Sequence, residues 1–114
     1  MKNNQTIKES FDFAFENHKK NNLKIAEMIY KKILEEDPNH CPSNVLLGTL
    51  SAQTKNFGLA KQLLEKAIKI NPNHPEAHYN LGLAFNELAN FEKAISCFEK
   101  AIKIKPDYAD AYNN

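Results

Sequence analysis

Landmark residues recur along this chain at intervals of 34, and that period constrains the fold more than any other feature. Pro38, Pro72 and Pro106 are spaced by it, as are Asn22, Asn56 and Asn90, and Ala26, Ala60 and Ala94. Large apolar residues keep step at Leu23, Phe57 and Phe91, and again at Tyr30, Leu64 and Phe98. Leu47-Gly48 returns as Leu81-Gly82, with Phe13-Ala14 as the earlier counterpart. The run from Glu65 to Ile70 is repeated letter for letter from Glu99 to Ile104. Chance does not place so many matches at one interval.

Each period reads as two helices. The second opens at the recurrent Asn, whose side chain can accept a bond from a free amide of the first turn. Phe57, Ala60, Leu64, Ala67 and Ile68 then fall three and four apart, the stripe of an amphipathic helix. Glu65 to Lys69 and Glu99 to Lys103 are four-apart pairs in the favourable order. The recurrent Pro ends the helix, because it has no amide to donate and restricts the residue before it. Pro42 and Pro75 sit near the first turn of the following helix, where a missing amide costs little. Gly48 and Gly82 fall inside helices, where Gly costs about 1 kcal/mol against Ala. A close approach of the partner helix explains them, with Ala60 and Ala94 as the expected facing residues. The spacing predicts helices over 6–20, 22–36, 41–54, 57–70, 75–88 and 91–104.

This pattern resembles the tetratricopeptide repeat family over residues 7–114. Leu81-Gly82, Phe85, Ala94, Phe98, Ala101 and Pro106 carry the resemblance, together with the period. Unit 1 departs from it, with Ala14 for the usual Gly and Asn17 for the usual aromatic; Ser51 replaces that aromatic in unit 2. The resemblance implies an all-α, right-handed solenoid of antiparallel helix pairs. Residues 1–6 would form a tail, followed by repeats 7–40, 41–74 and 75–108. Ala109 to Asn114 mirror the opening of a repeat, so a fourth unit would be cut short there and the chain would be a piece of a longer protein. A solenoid end needs a polar cap. Its absence would leave Phe98 and Ile102 uncovered and give the C-terminal end a surface for self-association.

The same resemblance places a peptide groove on the first helix of each pair. Unit 1 would offer Phe11, Asp12 and Phe15; unit 2, Val45, Leu46 and Thr49; unit 3, Tyr79, Asn80 and Leu83; and the partial unit, Asn113 and Asn114. Phe11, Phe13 and Phe15 are informative without it. Helix residues point about 100° apart, so the three cannot share one buried stripe. Either a groove or interface takes some of them, or the segment from Met1 to Thr6 folds back over them. Asn80 and Asn114 match positions where some family members carry a ladder of asparagines, whose amides both donate to and accept from a peptide backbone. Leu46 and Asp12 interrupt that ladder. Other members grip the terminal carboxylate of chaperones through basic residues. The matching positions hold Phe11, Phe15, Leu46, Glu76 and Asn80, which implies no binding of an acidic tail.

Other chemistry is thin. His74 and His78 are four apart, a spacing that can share a metal, but Pro75 places His74 in a turn, and a solvated polar turn is the simpler reading. Cys97 has no neighbouring base in sequence to activate it and reads as a buried thiol. No phosphate loop, nucleophile elbow or paired-acid motif is present, so neither catalysis nor a cofactor is expected. The formal charge of +1 gathers neither nucleic acid nor an anionic membrane. All 15 basic residues are Lys, so no planar fork is available for bidentate anion recognition. Two isolated cysteines and a polar N-terminus fit a cytoplasmic protein. Four functions remain: a protein-binding scaffold, a substrate-docking arm of a larger enzyme such as a glycosyltransferase, a structural or oligomerisation spacer, and, least favoured by the charge, an RNA-reading repeat.

Overall fold

A computed structural model describes residues 4–108 of the chain. Among them are six helices and no strand: α1 (Asn4–Lys19), α2 (Leu23–Glu36), α3 (Cys41–Gln53), α4 (Phe57–Ile70), α5 (Pro75–Glu87) and α6 (Phe91–Ile104). Every end lies within two residues of its expected place. Residues 4–6, expected in the tail, form the first turn of α1 instead of folding back over the phenylalanines. The helices pair as α1–α2, α3–α4 and α5–α6, one antiparallel pair per period. The pairs stack into an elongated right-handed α-solenoid, 42 × 25 × 22 Å. The expected opening of a fourth unit, with Asn113 and Asn114, lies outside the described residues.

The turns repeat as faithfully as the helices. Asn21, Lys55 and Ala89 each take a left-handed backbone, with φ of 65°, 66° and 61°. The next amide reaches back across the helix end: Asn22 N–H to the Asn17 carbonyl, Asn56 to Ser51 and Asn90 to Phe85, at 2.7–2.8 Å. This closes the last open carbonyls of α1, α3 and α5. Asn56 and Asn90 then cap α4 and α6 through their side chains, accepting from Leu59 and Lys93 amides. Asn22 does not cap α2; its side-chain N–H is drawn to the Asn17 oxygen at 3.1 Å.

At the junctions between pairs, imidazoles do the capping. His40 Nδ1 accepts from the Ser43 amide and His74 Nδ1 from the Ala77 amide. Four residues on, Asn44 and His78 donate to the carbonyls of Pro38 and Pro72. His78 is 5% exposed, so it belongs to the buried junction and not to the solvated turn expected of it. A cap by Nδ1 needs the neutral ring, and burial lowers the pKa of His40. An imidazole held neutral by folding contributes stability that is full above its ordinary value near 6.5 and is lost as pH falls through the lower folded value. Between pH 7 and 5 the thermal midpoint is expected to drop by a few degrees, equivalent to about 1 kcal/mol of capping. His40→Asn, which keeps an acceptor that does not titrate, is expected to drop less over the same range.

Two apolar clusters fill the interior, one joining units 1 and 2 around Tyr30 and Leu50, the other joining units 2 and 3 around Leu64 and Phe85. The helix glycines sit where large side chains enter. A Cβ on Gly48 would lie 2.8 Å from Leu64 Cγ, and one on Gly82 would lie 2.6 Å from the Phe98 ring. The facing residues are therefore Leu64 and Phe98, one turn beyond the expected Ala60 and Ala94. Phe98 is 8% exposed, seated over Gly82 and against Tyr79, and is not the uncovered edge expected of it. In unit 1 Ala14 replaces the glycine and Tyr30 takes the place of the large side chain. Burial pushes the Tyr30 phenol up to about 12. It stays protonated and donates to His18 Nδ1 at 3.1 Å, while His18 Nε2 donates to Gln53 Oε1 at 2.7 Å. That chain ties α1, α2 and α3 together. Among the described residues the ion pairs are Lys8–Asp12, Glu16–Lys19 and Glu27–Lys31; the expected Glu65–Lys69 and Glu99–Lys103 pairs are not closed.

Candidate peptide-binding groove

The first helix of each pair, α1, α3 and α5, forms one face of the solenoid, with α3 directly against α5. Three hollows run along this face. One of about 370 Å³ lies where Phe11 and Asp12 of α1 meet His40 and Pro42. A second, about 510 Å³, is lined by Phe15, Pro42, Val45, Leu46, His74 and Glu76. The third, about 370 Å³, holds Thr49, Gln53, Asn80, Leu83 and Asn86. Of the nine candidate residues within the described range, eight line these hollows.

Their roles differ. Phe11 and Phe15 stack with ring centroids 6.3 Å apart and planes inclined by 6°. Phe11 also packs on Tyr30 and His40. Phe15 is 38% exposed and carries the Lys19 ammonium 4.8 Å above its ring. Phe13 points away from both and is 60% exposed. Its counterparts Leu47 and Leu81 are buried. Four-apart spacing thus puts Phe11 and Phe15 on the face that carries the hollows and turns Phe13 away from it. Val45 is buried at 2% and gives the middle hollow a floor, not a contact surface. Leu46 is half-buried and accessible.

Thr49 and Asn80 form the polar centre. Asn80 Nδ2 donates to Thr49 Oγ1 at 2.9 Å, and that hydroxyl donates to the Val45 carbonyl at 2.9 Å. The Asn80 amide is held in place with its carbonyl oxygen and second N–H still able to meet a backbone. Tyr79 lies elsewhere: its ring packs on Phe98 and on Tyr108, toward the end of the solenoid. Gln53 and Asn86 were not singled out from sequence, although each lies one helical turn beyond a residue that was, Thr49 and Leu83. Their amides add to the polar hollow.

Two larger hollows, about 820 and 660 Å³, lie along α4 and α6, bordered by Lys66 and Lys69 and by Lys100 and Lys103. Their volume does not decide the matter. Exposed lysine rims hold no fixed hydrogen-bonding geometry, whereas the Thr49–Asn80 centre does. Both thiols are raised by burial, Cys41 and more deeply set Cys97, so neither is a thiolate at neutral pH. His74 and His78 are occupied by helix junctions, as above. No helix among the described residues is long and apolar enough to cross a membrane.

Family models of tetratricopeptide repeats match residues 75–108 and 53–89. No curated protein matches the chain. Among solved structures, a mutant O-GlcNAc transferase of Thermobaculum terrenum is similar at 29% identity and a TM-score of 0.92, covering 98% of this chain and 22% of the transferase chain. The first TPR domain of Spaghetti, bound to an HSP90 peptide, superposes at 20% identity and a TM-score of 0.92, covering 97% of this chain and 88% of that one. YrrB, described as a TPR protein with an unusual peptide-binding site, superposes at 24% identity and a TM-score of 0.86, covering 99% and 57%. The chain thus spans about a fifth of the transferase and somewhat over half of YrrB. With two matching repeat models, one helix pair per 34-residue period and a solenoid shared with these structures, the chain belongs to the tetratricopeptide repeat family.

Proposed function

We propose that this chain is a protein-interaction module that holds an extended polypeptide segment along α1, α3 and α5. The observation that carries the reading is the fixed Asn80 amide, set on Thr49 beside the apolar hollow of Phe15 and Leu46. Such a pairing grips the backbone of a guest and buries one of its side chains. Two neighbours of the same fold support it, one bound to an HSP90 peptide and the other, YrrB, described as having an unusual peptide-binding site. The groove carries no basic clamp: Phe11, Phe15, Leu46, Glu76 and Asn80 stand at the five positions concerned, so an acidic chaperone tail is not the guest.

In a native extract, wild-type protein and Asn80→Ala are compared as baits, with Lys66→Glu on the opposite face as control. Partners lost with Asn80→Ala and kept with Lys66→Glu are the expected result. A partner set unchanged by Asn80→Ala would contradict the reading and favour a spacer role. A second reading is a docking arm that presents protein substrates to a catalytic domain elsewhere in a larger enzyme. It is favoured by the similarity of nearly the whole chain to 22% of an O-GlcNAc transferase. The groove chemistry is the same in both.

A further inference from the structure

We propose that the groove selects extended segments in which a large apolar residue has a cationic residue beside it. This rests on the groove reading above and adds the chemistry of the guest. The middle hollow, about 510 Å³, is walled by Phe15, Pro42 and Leu46 over the floor of Val45. Its size suits one or two large side chains of an extended strand. Among the described residues, its only charged lining residue is Glu76. Glu76 is exposed at the start of α5 and meets no cation within 4 Å among the described residues.

Two of the other charges on this face are held in ion pairs. Asp12 is paired to Lys8 at 3.0 Å, and Lys19, which covers the Phe15 ring, is paired to Glu16 at 2.9 Å. Asp37, beside the first hollow, accepts from the Asn39 amide at 3.2 Å and does not line the middle hollow. The third hollow carries one charge of each sign, Lys55 and Glu87, so its formal charge is zero. At the middle, apolar hollow the unpaired charge is the negative one of Glu76. A guest that buries an apolar side chain there brings its neighbouring residues to Glu76. A Lys or Arg at that place is attracted, and an Asp or Glu is repelled.

The test is selection from a displayed library of random nine-residue segments, linked at both ends so that no terminal carboxylate contributes. The baits are wild type, Glu76→Gln, Glu76→Lys and the groove variant Leu46→Asp, each first checked for helicity by circular dichroism. Wild type is expected to enrich large apolar residues with Lys or Arg within two positions. Glu76→Gln is expected to keep the apolar enrichment and lose the cationic one, and Glu76→Lys to turn it acidic. Affinity of a wild-type-selected peptide for Glu76→Lys is expected to fall about fivefold to tenfold, the scale of a reversed interfacial charge. Wild-type peptides without cationic bias, in a selection still abolished by Leu46→Asp, would overturn this proposal and leave the groove reading standing. Selection indifferent to Leu46→Asp, or no enrichment at all, would overturn both.

Discussion

Leu64→Ala is expected to lower the free energy of unfolding by about 3 kcal/mol, within the range for emptying a buried leucine site. Leu64 is wholly buried and belongs to the cluster shared by units 2 and 3. It fills the niche that Gly48 leaves on α3. Gly48→Ala gains helix propensity but drives a methyl to within 2.8 Å of Leu64 Cγ, a branch point and not a flexible end. Overpacking is expected to win by about 1 to 2 kcal/mol. Combined, the two changes are expected to cost less than their sum, since the methyl at position 48 enters space vacated at position 64. Urea unfolding followed by circular dichroism measures all three variants. Strict additivity would mean that the glycine is there for some reason other than the leucine.

Leu46→Asp is expected to weaken a groove-bound peptide by about 30-fold or more. Losing the burial of a leucine against the guest accounts for about 1.5 to 3 kcal/mol, and an unpaired carboxylate facing an apolar side chain adds to that. Asn80→Ala removes the amide together with its bond to Thr49, and a loss of about fivefold to tenfold is expected for one or two backbone hydrogen bonds. Leu46 also touches the first core cluster, so the melting midpoint of each variant must be recorded beside its affinity. Lys66→Glu, on the far face, is expected to change affinity less than twofold. Fluorescence anisotropy with a labelled library peptide reads these values. Equal effects of Leu46→Asp and Lys66→Glu would place binding outside the groove.

The helices were legible because periodicity, prolines and asparagines agree at every repeat. Gly48 and Gly82 announced a close approach, yet not which residue approached. Which of two candidates one turn apart faces a glycine depends on how the paired helices are staggered, and the sequence pattern does not set that stagger. The left-handed residues Asn21, Lys55 and Ala89 went unnoticed because none is Gly, the residue that usually marks such turns. The imidazole caps were hidden for a similar reason: His is not among the favoured capping residues, and only its position before Pro75 or near Pro42 hints at the role. That Phe11, Phe15, Leu46, Thr49, Asn80 and Leu83 line hollows on one face follows from helical spacing plus family likeness. Val45 was misleading because it neighbours Leu46 in sequence but faces inward, about 100° around the helix. Tyr79 was drawn off by Phe98 and Tyr108, contacts made across elements. The single negative charge left uncompensated at the apolar hollow became visible only when the pairings of Asp12 and Lys19 were known.

The claim that a polypeptide lies along α1, α3 and α5 is tested most directly by backbone amide chemical shifts. The labelled protein is titrated with the tightest library peptide. The largest shifts are expected at Phe15, Leu46, Thr49, Asn80 and Leu83, with Gln62, Lys66 and Lys100 unmoved. Largest shifts at Gln62, Lys66 and Lys100, beside the larger hollows along α4 and α6, would contradict the claim.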